Sequence, residues 1–203
     1  MFFGGNSERK QLERAMRDAG RLPPGQSATL KWPVLHEGSV PRFDPQTWDF
    51  RIAGLVEQPV RLTWDEFTHL PMKQVTADMH CVTRWSRFDV RWEGVPFTEV
   101  LKLAGAKAEA KYVMVIAEQG YKSNVPLEDL MLPATIFALK HNGEPLPAEH
   151  GYPVRLVVPN LYAWKSVKWV RGLEFMAHDA PGFWEVNGYN MHGDPFKEQR
   201  FSS

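Results

Sequence analysis

Residues 78–96 read DMHCVTRWSRFDVRWEGVP and hold the only cysteine of the 203-residue chain, Cys81. A lone cysteine is most often a small buried hydrophobe. Here Arg84, Arg87 and Arg91 share its stretch, and positive charge near sulfur favours the thiolate, a nucleophile and a soft metal ligand. Val75–Met79 has strand character and delivers Cys81 at its end. Beyond the stretch, Pro96 to Ala104 carries Phe97, Val100, Leu101 and Ala104 on one helical face, with Gly105 as the stop. His80 and Cys81 are neighbours on an extended chain, so their side chains point to opposite faces. That geometry argues against a cysteine hydrolase or thiol peroxidase with His80 as the base.

Composition sets the outer bounds. Apolar residues make up 43% and charged residues 24%, ordinary values for a globular protein with one sizeable core. Formal net charge is +0, which offers no broad basic surface for nucleic acid. One cysteine excludes an intrachain disulfide and an all-cysteine iron–sulfur site within the chain. No run of about 18 apolar residues occurs, so no membrane span is expected. MFFGGNSERK at the start lacks the basic and apolar regions of a secretory signal, and a cytoplasmic location is the expectation. Phosphate loops of the G-x-G-x-x-G or G-x-x-x-x-G-K-[ST] type, C-x-x-C-H and H-E-x-x-H are all missing.

Taken in order, residues 1–31 read as a helical arm and linker, with an amphipathic helix from Ser7 to Ala19 and the loop Pro23-Pro24-Gly25-Gln26-Ser27. Residues 32–203 read as one domain. Trp48, Phe50 and Ile52 alternate as in a half-buried strand, and Thr63-Trp64-Asp65-Glu66 is a capping box opening a helix to about Leu70. Tyr112–Ala117 is a buried strand, and GYKSNVPLEDL a turn leading to a short helix. Strands and helices mix without regular alternation, which predicts an α+β fold.

The second informative stretch is HGYPVRLVVPNLYAWKSVKWVRGLEF, residues 150–175. Val154, Leu156 and Val158 alternate along a strand, so Arg155 and Val157 face the other way. His150, Arg155, Lys165, Ser166 and Lys168 together offer the fork, point charges and hydroxyl that suit one phosphate group. A strand edge protected by lysines is the competing reading. Val167 and Lys168 open a further strand-like segment ending at Phe175.

H-C-V-T-x-W-S followed by W-x-G-V-P resembles the cysteine segment of the sulfite-oxidase-type molybdopterin-binding family, in particular small bacterial members similar to the methionine-sulfoxide reductase catalytic subunit. G-x-P-V-R-L with L-Y-x-x-K-S-x-K-W resembles the family's phosphate-binding segment, with Ala163 where many members have glycine. W-P-V-L-H around His36, G-Y-x-x-x-x-P-L around Tyr121 and G-F-W-E-x-x-G-Y near the end resemble further family segments. The resemblance spans about residues 32–195. It implies a single mixed domain, a molybdenum–molybdopterin cofactor and Cys81 as molybdenum ligand. His36, His150, Arg155, Lys165, Ser166 and Lys168 would contact the cofactor, and Tyr121 would stand in the pocket. Implied chemistry is oxygen-atom transfer at sulfur, with sulfoxide reduction or sulfite oxidation as its two forms. A small sulfur-containing substrate and a separate electron-transfer partner come with it. Trp85 and Ser86 stand where sulfite oxidases have two adjacent arginines, which favours the reductase side. The alternative is a non-catalytic molybdopterin carrier.

Overall fold

The computed structural model describes residues 4–202. In chain order its strands are β1 (Ser27–Ala28), β2 (Asp49–Gly54), β3 (Val60–Thr63), β4 (Lys73–His80), β5 (Trp85–Pro96), β6 (Tyr112–Ala117), β7 (Lys122–Pro126), β8 (Ile136–His141), β9 (Glu144–Pro145), β10 (Arg155–Val157) and β11 (Val170–Met176). The helices are α1 (Gly4–Asp18), α2 (Trp64–Thr68), α3 (Phe97–Ala104), α4 (Leu127–Leu130) and α5 (Phe183–Val186). The fold is the expected single mixed domain, built on two sheets. One sheet runs β1-β5-β8-β10, with β4 on β5 and β9 on β8; the other runs β3-β2-β11-β6-β7.

The 78–96 stretch is the axis of the first sheet. β5 pairs in parallel with β1 and antiparallel with both β4 and β8. Its crossing with β8 is close: a Cβ on Gly94 would lie 2.0 Å from the Phe137 carbonyl oxygen, so only glycine fits at that register shift. Between the sheets lies the main core, where Phe50 of β2 meets Phe137 of β8 edge to face at 5.3 Å. Phe67 of α2 and Phe97 and Val100 of α3 seal it. The capping box that opens α2 is present, with the Glu66 amide on the Thr63 hydroxyl and the Thr63 amide on the Glu66 carboxylate.

A second, smaller core of Met79, Val90, Trp92, Ile136 and Val157 covers the other face of the first sheet. β10 is therefore buried on both sides, and its pleat decides what faces where. Leu156 enters the main core, whereas Val157 enters the second. Arg155 shares the second face, as the alternation predicts.

Several details depart from the sequence reading. Lys122–Pro126, read as a turn, is a strand: alternate partners Val113 and Val125 are both fully buried, and β6 supplies its hydrogen bonds. The segment after Lys168 extends only from Val170 to Met176, because Trp169 takes a left-handed φ of 53° that interrupts it. The 1–31 arm is more than an appendage. Leu22, Gln26 and Ala28 are buried, β1 extends the sheet, and the Glu13 carboxylate of α1 accepts the Ala28 amide at 3.0 Å.

Candidate active site

Cys81 lies at the tip of the β4–β5 hairpin. Its amide donates to the Trp85 carbonyl at 2.9 Å, which closes the loop Val82-Thr83-Arg84. Arg84 adopts φ 72°, the left-handed position that three-residue hairpin loops require. The loop thus turns the sulfur off the strand and away from His80. His80 is buried elsewhere, its Nδ1 2.8 Å from the Ser86 hydroxyl, and stays out of the cavity that Cys81 lines. A base–nucleophile pair of His80 and Cys81 is not formed.

The loop is braced from both ends of the chain. Gln26 donates through Nε2 to the Cys81 carbonyl at 2.9 Å. Arg200 donates to the Val82 carbonyl at 2.8 Å and to the Pro24 carbonyl at 3.2 Å, with its guanidinium over the Tyr162 ring. No motif in the sequence singles out these two residues; only their burial reveals them. Cys81 is 8% exposed and lines the cavity. Burial pushes the thiol pKa up, and the Thr83 hydroxyl, 3.0 Å from Sγ, opposes that rise, as do the more distant charges of Arg200 and Lys168.

The cavity has a volume of about 290 Å³, at the small end of ligand-pocket sizes. Two groups of side chains line it. The first belongs to the Cys81 side: Val82, Thr83, Trp164, Trp184 and Tyr189. Tyr162, under Arg200, stacks on Trp164 at 5.3 Å; Trp164 meets Tyr189 edge-on at 5.1 Å; Tyr189 stacks on Trp184 at 4.9 Å. Tyr121 also lines the cavity, its hydroxyl donating to the Trp164 carbonyl at 3.1 Å.

The second group holds the cations. Trp32 stacks on the His150 ring at 3.7 Å with 6° between planes, and the Arg155 guanidinium stands 5.6 Å from the Trp32 ring. Arg155 donates to the His150 and Ser166 carbonyls at 3.0 and 3.1 Å. Full burial lowers its pKa to about 9, still above neutrality, so the charge persists. Lys168 donates to the Leu35 and Glu149 carbonyls; burial and then Arg155 bring its pKa down to about 7. Ser166 accepts the Val158 amide at 2.9 Å, leaving its own proton to donate. Gly151 permits this crowding: at φ 114° its added Cβ would meet the Arg155 Cβ at 2.9 Å and the Lys168 Cβ at 3.2 Å.

His36 lines the same cavity from an exposed loop, edge-on to Trp169 at 5.2 Å. Ala163, in place of the frequent glycine, fits without strain: it is outside the left-handed region, and its amide donates to the His80 carbonyl at 2.8 Å. Lys165 is the correction. Its ammonium is wholly buried away from the cavity, within 2.6 to 2.8 Å of Glu185 Oε1, the Asn124 carbonyl, Asn124 Oδ1 and the Met191 carbonyl. Three N–H protons meet four acceptors, so none is left for a phosphate. Successive residues on this turn face different ways, and Ser166 and Lys168 take the cavity side.

Residues 37–184 match the family model described as the oxidoreductase molybdopterin binding domain. The chain belongs to this family. It is 44% identical over 203 residues to YuiH, an uncharacterized oxidoreductase of Bacillus subtilis (strain 168), covering 100% of this chain and 99% of that one. Identity to the protein-methionine-sulfoxide reductase catalytic subunit MsrP of Gluconobacter oxydans (strain 621H) is 31% over 160 residues, 70% of this chain and 51% of MsrP. The sulfane dehydrogenase SoxCD from Paracoccus pantotrophus superposes with a TM-score of 0.64 at 28% identity, over 70% of this chain and 41% of that one. The chain therefore spans about half the length of MsrP and less of SoxCD. It is a molybdopterin oxidoreductase of this family, and its cofactor is molybdenum–molybdopterin. No helix among the described residues is long and apolar enough to cross a membrane.

The residues present fit that group. His150 Nδ1 and Arg155 Nε are buried with no partner, and such groups are costly unless a ligand or water meets them. Both belong to side chains that line the cavity, beside the flat stacked faces of Trp32 and His150. A soft sulfur on one side and cations on the other match a molecule with a thiophilic metal and a phosphate.

Proposed function

We propose that this enzyme transfers an oxygen atom at sulfur in the direction of sulfoxide reduction, with Cys81 binding molybdenum and a separate partner delivering the electrons. Supporting residues are Cys81 for the metal, and His36, His150, Arg155, Ser166 and Lys168 for the pterin and its phosphate. Tyr121 is a pocket residue. The molybdenum cofactor, when bound, supplies the oxygen-atom transfer, cycling between oxidation states VI and IV.

The remaining work falls to the chain. Cys81 would present its sulfur to the metal, and burial raises its thiol, so the proton would leave on metal binding. Thr83, within hydrogen-bond distance, stabilises the sulfur once it is anionic. Arg155 and Lys168 balance the phosphate charge; a dianion beside Lys168 favours its protonated form and reverses the lowering that burial causes. Trp32 stacks on His150 and so fixes that ring at the cavity wall, and the braced loop holds the sulfur in place. The aromatic wall limits water around the reacting sulfur.

The observation that carries the reductase direction is the distribution of charge around the cavity. Among the described residues, Arg155 and Lys168 are the two lysine or arginine side chains that line it, and both are hydrogen-bonded to the His150 segment, to the His150 and Glu149 carbonyls. The Cys81 side is walled by Val82, Trp164, Trp184 and Tyr189, which suits a neutral sulfoxide better than sulfite, an anion. The test is a side-by-side assay on one preparation: sulfoxide reduction with an artificial one-electron donor, and sulfite oxidation with an artificial acceptor. A larger kcat/KM for the sulfoxide is expected. Dominant sulfite oxidation would replace this reading.

A further inference from the structure

The mechanism leaves one buried charged pair without a task. Lys165 and Glu185 lie 2.6 Å apart, and both side chains are 0% exposed. A buried ion pair adds little stability over well-packed apolar residues of the same volume, so its presence asks for another reason. Its place in the sequence supplies one. Lys165 follows Trp164, and Glu185 follows Trp184; each partner is the next residue to a tryptophan that lines the cavity. The same carboxylate oxygen that takes the Lys165 ammonium also accepts the Trp164 indole N–H at 2.7 Å. Around the Trp164 ring stand Tyr162 on one face, Tyr189 at an edge and Gly193, whose added Cβ would lie 2.8 Å from the indole Cζ2.

We infer that the Lys165–Glu185 pair is a positioning device that fixes Trp164 and Trp184 relative to each other as the substrate-facing wall beside Cys81, and so sets which sulfoxides enter. The inference rests on the sulfoxide reading above. Without the carboxylate the indole N–H loses its acceptor, and rotation of the ring is opposed by packing alone. Lys165 ties the same oxygen to the backbone through Asn124 and Met191, so the acceptor itself stays put. The wall is thus held by groups that never touch the substrate.

Removing one partner leaves a buried charge unpaired and threatens folding, so the test uses two double variants. Lys165→Met/Glu185→Gln removes both charges and keeps an acceptor for the indole. Lys165→Met/Glu185→Leu removes both charges and the acceptor. Each is purified with its cofactor and assayed with a small dialkyl sulfoxide and a bulkier aryl sulfoxide, alongside exchange of the Trp164 indole proton by NMR. Loss of one neutral hydrogen bond predicts a KM for the bulkier substrate about fivefold higher in the leucine variant than in the glutamine variant, with kcat per bound molybdenum alike. Indole exchange should be fast in the leucine variant and slow in the other. Equal KM values in the two variants would overturn the inference, whatever the exchange rates. A wild-type enzyme inert to sulfoxides but active on sulfite overturns the preceding reading and the sulfoxide selection that rests on it, and equal indole exchange in the two variants then overturns the positioning of Trp164 as well.

Discussion

The cysteine loop and the 150–168 turn face one cavity and hold their functional groups in different ways. The loop keeps a single potential anion neutral: burial raises the Cys81 thiol, and a lone hydroxyl and distant cations offset that. The turn surrounds its cations with carbonyls in a buried place: Arg155 is fully covered yet has two carbonyl acceptors, and Lys168, brought down to about 7 by burial and Arg155, has two of its own. The loop's geometry comes from bracing by distant chain ends, Gln26 and Arg200. The turn's geometry is local, set by Gly151 and by a strand pleat. A metal ligand must sit at one point in space, whereas a phosphate tolerates any sufficient ring of donors.

That difference predicts unequal sensitivity to substitution. Cys81→Ser should have the largest effect: a folded protein whose turnover falls by more than about 100-fold, since even residues supporting a metal ligand cost 10–100-fold. Turnover per mole of protein with an artificial electron donor measures it; near wild-type activity would mean that the two regions do not divide the work as described. Arg155→Ala and Lys168→Ala should instead weaken cofactor retention, roughly 10- to 150-fold for one lost charged hydrogen bond. Molybdenum content per chain should drop while activity per bound molybdenum stays near normal. Full occupancy with only KM raised would move both residues to the substrate.

Acidity sharpens the contrast further. Burial, with nearby cations, lowers His141 and His150 from 6.5 to about 4. Both are therefore neutral in the native protein while the unfolded chain takes up protons below about pH 6.5. Stability is full above that value and is lost as pH falls toward 4. Urea denaturation of the cofactor-free protein should show a decline on the order of 3 kcal/mol across the window, after discounting for partial exposure. His150→Phe should shrink the decline by about a third, because His80 and His141 are lowered to about 4 as well; an unchanged slope would place the titration elsewhere. Arg200→Met should have the smallest effect, a loss of about 2 kcal/mol, or roughly 4–8 °C in Tm. It should also lower molybdenum content although Arg200 does not line the cavity, which separates bracing from binding.

The sequence makes the linear parts of this site visible. Cys81 is the chain's single sulfur nucleophile, and the strand alternation around Arg155 places its guanidinium on the face where the structure has it. The capping box and the Tyr112–Ala117 strand are local signals and appear as expected. What the sequence hides is non-local. Arg200 reaches Val82 across the molecule, and nothing near it in the chain announces the contact. Lys165 and Lys168 look alike in a run of four residues, yet one turns inward to Glu185 and the other to the cavity. A pattern of charges three apart does not say which way a turn points them. Lys122–Pro126 resembles a turn because Gly120 and the polar Lys122, Ser123 and Asn124 precede Pro126, and only pairing with β6 makes it a strand.

Cys81 is proposed to supply a sulfur ligand to molybdenum in this cavity. X-ray absorption at the molybdenum edge, on the wild-type enzyme and on Cys81→Ala reconstituted with the cofactor, tests it directly. One sulfur neighbour fewer is expected in the variant than in the wild type, two against three. An equal sulfur count in both proteins would contradict it.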